Sequence, residues 1–143
     1  MDYLVRKANI KDLDRLKSLE SLCFDEKIRE NFPLVLSSQN YIYLVAEIEQ
    51  NIVGYAGASI SYEQADILSV CVNYDFRKRG IAFELMHKLT DFLKSKNVLE
   101  VFLEVEENNS SAINLYKKLG FTQISKRKNY YGDKSALIFI KKL

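Results

Sequence analysis

The chain has 143 residues, 48% of them hydrophobic and 28% charged, which predicts one globular domain over residues 1–143. The 21 basic and 19 acidic residues give a net charge of +2, which does not indicate a dedicated nucleic-acid binder. No apolar run is close to the length of about 20 residues that a helix needs to cross a bilayer. The N-terminus lacks a signal peptide's apolar stretch. The chain has one histidine and two cysteines, and the cysteines lie outside any CxxC pair, so no metal site is predicted. Two cysteines do not indicate a disulfide framework either, so we expect a cytoplasmic protein.

The first half of the chain predicts a strand, two helices and a hairpin. Residues 3–7 form the strand, and Asn9 is typical of a helix cap because apolar residues follow it at helical spacing. A second helix is predicted around residues 26–38, where Pro33 either ends it or starts its later part. Residues 41–60 predict a hairpin because β-forming residues flank a polar turn.

The second half predicts a right-handed βαβ unit, formed by strand 65–73, helix 81–96 and strand 98–105. The last of these strands is nearly all apolar, which favours a central strand covered on both faces. Helix 110–119 is predicted to end at a capping glycine, Gly120, and a final hairpin follows. The expected fold class is α/β (α+β), with a mixed sheet of about seven strands flanked by about four helices.

Three cations and a glycine, Arg77-Lys78-Arg79-Gly80, connect the strand and helix of this unit. A helix N-terminus has backbone N–H groups without intrahelical partners and a positive dipole end, so it attracts phosphate. Gly80 has no Cβ and lets an anion approach the backbone. The turn lacks the GK[ST] of a Walker loop and the further glycines of a dinucleotide-binding loop. It predicts a pyrophosphate-binding corner, with a basic surface turn as the alternative.

Glu104 lies near the C-terminal end of its apolar strand, where ligands bind in open α/β sheets. Loss of water in apolar surroundings would make its carboxylate a useful general base. The alternative, weighed equally, is that Glu104 faces solvent or pairs with a lysine.

Three other side chains have both a structural and a functional interpretation. Tyr116 is either core or a proton donor to a thiolate leaving group. Asn109 caps the following helix, and its amide would also be available to a ligand. Cys71 is expected to be a small buried residue rather than a nucleophile. His87 lies off the apolar stripe of its helix and is expected to be solvated.

Together these segments resemble the GNAT superfamily of acetyl-CoA-dependent N-acetyltransferases, over essentially the whole chain. The motifs that carry the resemblance are Leu68-Ser69-Val70-Cys71-Val72, Arg77-x-x-Gly80-x-Ala82, Leu103-Glu104-Val105, and Asn109 with Ala112-x-x-Leu115-Tyr116-x-x-Leu119-Gly120-Phe121. Within the superfamily the chain is most similar to the bacterial ribosomal-protein-alanine N-acetyltransferases, the RimI type. It has no tryptophan, whereas the RimI type often carries Phe-Pro-Trp where this chain has Phe24-Asp25-Glu26-Lys27.

The resemblance implies that the protein binds acetyl-CoA, releases coenzyme A and needs no metal. The backbone of residues 70–72 would hold the acetyl and pantetheine end, and residues 78–83 would hold the pyrophosphate. The residues implied in cofactor binding are Val70, Cys71, Val72, Lys78, Arg79, Gly80, Ile81, Ala82, Phe83 and Asn109.

The resemblance also implies direct acetyl transfer to a primary amine, with Glu104 as general base and Tyr116 as general acid. Tyr130 and Tyr131 would border the acceptor groove. The expected acceptor is the N-terminal α-amino group of a protein such as a ribosomal protein, with no nucleic-acid or membrane partner and a monomer or weak homodimer as the expected state.

Two alternatives stay open. One is a GNAT enzyme for a small amine, a polyamine or an amino-sugar, attracted by acidic side chains at Glu26, Glu30, Glu63 and Asp66. The other is a non-catalytic domain that binds acetyl-CoA.

Overall fold

The computed structural model describes residues 3–24 and 31–143, which build one seven-stranded sheet with two layers of helices. The elements in chain order are β1 (Leu4–Lys7), a 3₁₀ turn (Ile10–Asp12), α1 (Leu13–Cys23), α2 (Phe32–Ser37), β2 (Tyr41–Ile48), β3 (Asn51–Ser61), β4 (Gln64–Val72), a 3₁₀ turn (Tyr74–Phe76), α3 (Ile81–Ser95), β5 (Glu100–Glu106), α4 (Ser110–Lys118), β6 (Thr122–Tyr131) and β7 (Lys134–Lys142). This order and the mixed sheet confirm the predicted fold class.

The sheet has the strand order β1-β2-β3-β4-β5-β7-β6. The strands β4 and β5 are parallel, and every other neighbouring pair is antiparallel. The predicted βαβ unit is therefore confirmed, with α3 as its crossover helix. Pro33 stands in the first turn of α2, so it starts that helix, as one of the two predictions had it. The earlier part of the predicted second helix lies outside the described residues.

The 3₁₀ turn before α1 is fixed by a capping box and a partly buried ion pair. The Asn9 side chain accepts from the Lys11 N–H at 2.9 Å, and the Asp12 carboxylate accepts from the Asn9 N–H at 2.9 Å, so the predicted cap is part of a capping box. Asp12 is only 1% exposed and accepts two hydrogen bonds of 2.8 Å from Arg6 on β1. These bonds hold the pKa of Asp12 below its usual value.

Apolar side chains form one core on each face of the sheet. On one face α3 buries its predicted stripe, including Leu85, Met86 and Leu89, against the strands. On the other face α1 and α2 bury Leu16 and Phe32. The middle of the sheet is therefore enclosed by helices. Among the described residues no helix is both long and apolar enough to cross a membrane.

The prediction that β5 is covered on both faces is wrong. Its residues alternate, with Val101, Leu103 and Val105 buried and Glu104 exposed. Of the side chains that alternate with the buried ones, Phe102 and Glu104 line an opening in the sheet. An apolar strand sequence cannot reveal this, because the opening depends on the neighbouring strand.

The expectation that the two cysteines stay unpaired is also wrong. Cys23, the last residue of α1, forms a disulfide with Cys71 on β4. Cys71 is 2% exposed, so its predicted burial is confirmed. The two residues are 48 positions apart in sequence, and only the packing of α1 on the sheet brings them together.

Candidate active site

The sheet opens between β4 and β5. Within the described residues these strands pair only from Gln64 to Asp66, although both continue well beyond. On β3, Gly57 pairs with Ser69 and the next residue pairs with Ile67, so Leu68 is an extra, bulged residue on β4. The bulge bends β4 away from β5 and leaves a cavity of about 520 Å³. The side chains that line it are Asp66, Ile67, Leu68, Phe102, Leu103, Glu104, Arg127 and Ile138.

Backbone donors on β4 face this opening. The Asn73 N–H donates to β3 at 2.8 Å, and successive residues of a strand direct their backbone groups to opposite sides. Val72 and Val70 therefore direct theirs away from β3, toward β5. Cys71 directs its backbone groups to β3 and its side chain to the disulfide. The geometry thus favours the N–H groups of Val70 and Val72 as donors to a ligand in the opening.

The corner before α3 has the conformation that an anion site needs. Gly80 is the N-cap of α3, with φ of +80°, and a Cβ added there would meet no heavy atom within 4 Å. Among the described residues, no side chain caps this helix end. Lys78 also has a positive φ, +63°, so the loop curls tightly before the helix begins. The first-turn N–H groups are left for an outside acceptor.

The three cations of the corner differ in what they contact. Arg77 stabilises the loop, since its Nε donates to the Val72 carbonyl at 2.9 Å and its guanidinium lies 5.5 Å from the centre of the Tyr74 ring. The Arg79 guanidinium lies over an aromatic ring as well, at 5.3 Å from its centre. Lys78 is exposed. Lys78 and Arg79 thus stay the candidates for binding phosphate, whereas Arg77 contacts its own loop.

The first residues of α3 can offer a ligand their backbone N–H groups more than their side chains. Ile81 is buried in the core and Ala82 is small, so these two offer their N–H groups. Phe83 is 39% exposed and stacks on His87, with ring centroids 6.1 Å apart. His87 itself is exposed beside Asp91, at 3.6 Å, which confirms the prediction that it is solvated.

Glu104 points into the opening and forms an ion pair. Its Oε1 lies 2.9 Å from Arg127 Nη1, and 33% of its side-chain surface is exposed. The expected apolar surroundings of Glu104 are wrong, because this face of β5 borders the cavity. The alternative of a solvent-facing carboxylate is confirmed, with an arginine in place of the lysine. Arg127 lies on β6 and reaches across β7 to Glu104.

Tyr116 is held in the core by the end of α4. Gly120 has φ of +92°, and the Phe121 N–H donates to the Tyr116 carbonyl at 3.0 Å, which completes the predicted glycine cap. The Tyr116 and Phe121 rings pack edge to face, 6.0 Å between centroids. Burial raises the pKa of Tyr116, so its phenol stays protonated at neutral pH. Tyr116 does not line the Glu104 cavity.

Asn109 is the N-cap of α4, as predicted. Its side-chain oxygen accepts from the Ala112 N–H at 3.2 Å. The capping interpretation of Asn109 is therefore confirmed. The contact of its amide with a ligand stays a prediction.

The final hairpin brings Tyr130 near Glu104. β6 is irregular between Arg127 and Tyr131, and Asn129 within this stretch has φ of +55°. The Arg127 guanidinium lies 5.5 Å from the centre of the Tyr130 ring, and Tyr130 is 53% exposed. The Tyr131 side chain lies outside what the structure describes.

Of the four acidic side chains considered for a small amine, Asp66 lines the cavity and Glu63 is exposed. Glu26 and Glu30 lie outside the described residues.

Sequence reasoning missed the role of Arg127 at Glu104. The signal that would have found it is strand register, because β7 places Ile138 beside Glu104 and Ala136 beside Arg127.

Known proteins identify the family of this chain. The profile of the acetyltransferase (GNAT) family matches residues 10–121. An N-alpha-acetyltransferase from Sulfurisphaera tokodaii is 30% identical over 150 residues, covering 92% of this chain and 87% of that protein. A [ribosomal protein bS18]-alanine N-acetyltransferase from Salmonella typhimurium is 31% identical over 104 residues, covering 70% of each chain.

Solved structures have the same fold. The ribosomal-protein-S18-alanine N-acetyltransferase from Escherichia coli superimposes with a TM-score of 0.87 at 23% identity, covering 99% of this chain and 94% of that one. Arabidopsis thaliana NAA60 in complex with acetyl-CoA gives a TM-score of 0.86 at 23% identity, covering 99% of both chains. The family profile and the relatives identify an N-acetyltransferase, and the chain belongs to the acetyltransferase (GNAT) family.

Proposed function

We propose that this enzyme transfers acetyl from acetyl-CoA to the N-terminal α-amino group of a protein. One observation carries the proposal: the Glu104 carboxylate faces the same opening as the backbone donors of Val70 and Val72. A base and carbonyl-binding donors thus lie along the same opening between β4 and β5. The relatives named N-alpha-acetyltransferase and [ribosomal protein bS18]-alanine N-acetyltransferase support a protein N-terminus as acceptor.

The residues present fit acetyl-CoA. The uncapped start of α3 and the open space at Gly80 suit a diphosphate, with Lys78 and Arg79 beside it. The N–H groups of Val70 and Val72 would donate to the thioester carbonyl, an arrangement that stabilises negative charge on oxygen during transfer. The bound thioester supplies the acetyl group and a thiolate leaving group.

Glu104 would prepare the acceptor. A protein N-terminus has a pKa of about 7.7–8.0 and a lysine side chain about 10.4, so the N-terminal amine is deprotonated far more easily at neutral pH. Glu104 would take that proton directly or through a water, as the C–N bond forms and the C–S bond breaks. Tyr116 would return a proton to the thiolate, although its burial makes it a weaker acid than a free phenol.

The test is turnover by the purified protein with acetyl-CoA, read as release of coenzyme A. We expect turnover with peptides that begin with Ala or Ser. The same peptides with a blocked N-terminus serve as the matched control and should release no more coenzyme A than acetyl-CoA alone. Turnover with blocked peptides, or with spermidine alone, would contradict the proposal.

A small polyamine is the second candidate, because two carboxylates, Asp66 and Glu104, line one cavity. Two negative charges would attract an extended polycation more than a single α-amine. The same panel of acceptors separates the two candidates. A ribosomal protein as acceptor, a cytoplasmic location and a monomeric or weakly dimeric state stay predictions.

A further inference from the structure

Arg127 occupies the oxygen at which Glu104 would work. Its Nη1 lies 2.9 Å from Glu104 Oε1, which is the distance expected for the proton-donating nitrogen of an acceptor. The two cannot both use this oxygen in the same geometry. An acceptor amine that takes the position of Nη1, arriving as an ammonium, would displace the guanidinium.

The contact is one that an acceptor can displace. Arg127 is 52% exposed, and ion pairs this close to solvent contribute little net free energy. The guanidinium also has a second partner, the Tyr130 ring, at 5.5 Å from its centre. Arg127 therefore keeps a favourable contact when it leaves Glu104.

A Glu104 carboxylate without a partner would promote hydrolysis of bound acetyl-CoA. A carboxylate in the opening can also act as a general base toward water. The water oxygen would then bond to the acetyl carbon, the C–S bond would break, and the thiolate would take up a proton. The products are acetate and coenzyme A, and the acetyl donor is wasted.

We infer that Arg127 is a gate on Glu104, which occupies the base until an acceptor displaces it and so suppresses hydrolysis of acetyl-CoA. This inference rests on the proposed function, in which Glu104 is the base. Arg127 is a positioning residue in this role, because it acts on the reaction through Glu104. The gate makes acetyl transfer dependent on the acceptor that opens it.

Hydrolysis of acetyl-CoA without any acceptor tests the gate. Arg127→Gln should hydrolyse acetyl-CoA about two- to fivefold faster than the parent protein, the factor that an exposed ion pair of this kind corresponds to. The matched control is Lys126→Gln, which removes the neighbouring cation of β6 and its 3.1 Å ion pair with Glu107. Lys126→Gln should leave hydrolysis unchanged. Equal rates in Arg127→Gln and the parent would overturn the inference.

A double variant separates a gate from other roles of Arg127. In Glu104→Gln the further change Arg127→Gln should have no effect on hydrolysis, because the gated base is absent. An effect that persists in this background would show that Arg127 acts independently of Glu104, and the inference would fail.

Acceptor affinity supplies a second readout. Arg127→Gln should lower the KM for an accepted peptide by the same factor and leave the affinity for acetyl-CoA unchanged. A raised KM would show that Arg127 binds the acceptor instead. Failure of the proposed function can be told apart from failure of this inference. In the first case the parent protein would acetylate no peptide, whereas its hydrolysis of acetyl-CoA could still be compared with that of Arg127→Gln.

Discussion

The two halves of the proposed active site are built in different ways. The proposed cofactor region comprises the end of β4, residues 77–80 and the start of α3, and it offers mainly backbone N–H groups. The acceptor region comprises Glu104, Arg127 and the turn between β6 and β7, and it offers exposed side chains. Backbone donors in a fixed fold suit a constant ligand. Exposed side chains that can exchange partners suit an acceptor that has to be selected.

This difference makes the two regions separable by mutation. A change in the acceptor region should alter transfer and leave acetyl-CoA binding intact, and a change in the cofactor region should do the reverse.

The largest effect is expected for Glu104→Gln in the acceptor region. Loss of the base should lower turnover by about 10²- to 10⁴-fold and leave the Kd for acetyl-CoA unchanged. Glu106→Gln is the control, because Glu106 is on the same strand and its carboxylate is in a 3.3 Å ion pair with Lys134. Steady-state rates and calorimetric titration of the two variants measure the effect. Similar losses in both would remove Glu104 from its role.

The disulfide should stabilise both regions through the fold, because it joins the end of α1 to β4. Reduction should cost about 2–4 kcal/mol of unfolding free energy, since the cross-link restricts the unfolded chain. Denaturant unfolding with and without reductant measures this. The Cys23→Ser/Cys71→Ser variant should not respond to reductant. Two titratable thiols in the unfolded, unreduced protein would refute the pairing.

Gly80→Asp should affect the cofactor region. A carboxylate at the helix start repels a diphosphate and blocks the N–H groups, so the Kd for acetyl-CoA should rise about tenfold, or ~1.4 kcal/mol. Gly132→Asp is the matched control, because Gly132 also has a positive φ and no heavy atom near an added Cβ. Unchanged affinity in Gly80→Asp would show that the phosphate site lies elsewhere.

The smallest effect concerns Tyr116. Burial raises its pKa above the unfolded value of about 10, so its contribution to stability is present below that pH and is lost as pH rises further. When the pH rises from about 9 to about 11, the free energy of unfolding of Tyr116→Phe should fall less than that of the parent. Tyr62→Phe is the control, since Tyr62 is 95% exposed. Denaturant midpoints at both pH values measure the difference, and parallel losses in all three proteins would argue against a buried phenol.

Local sequence signals predicted most of the fold and the glycine at the start of α3. Alternation, helical spacing and caps at Asn9, Gly80 and Gly120 are each decided by a few neighbouring residues. The ion pair of Glu104 with Arg127 depends instead on strand register across β7, and the Cys23–Cys71 disulfide depends on how α1 packs. Contacts between distant segments are set by tertiary structure, so the acceptor region was predicted less well.

The position of the transferred acetyl group tests the central claim most directly. A peptide with a free N-terminal Ala and one internal lysine would be incubated with the enzyme and acetyl-CoA, then sequenced by tandem mass spectrometry. The account predicts one acetyl group on the α-amine and an unmodified lysine. Acetyl on the lysine alone, or an unmodified peptide, would contradict it.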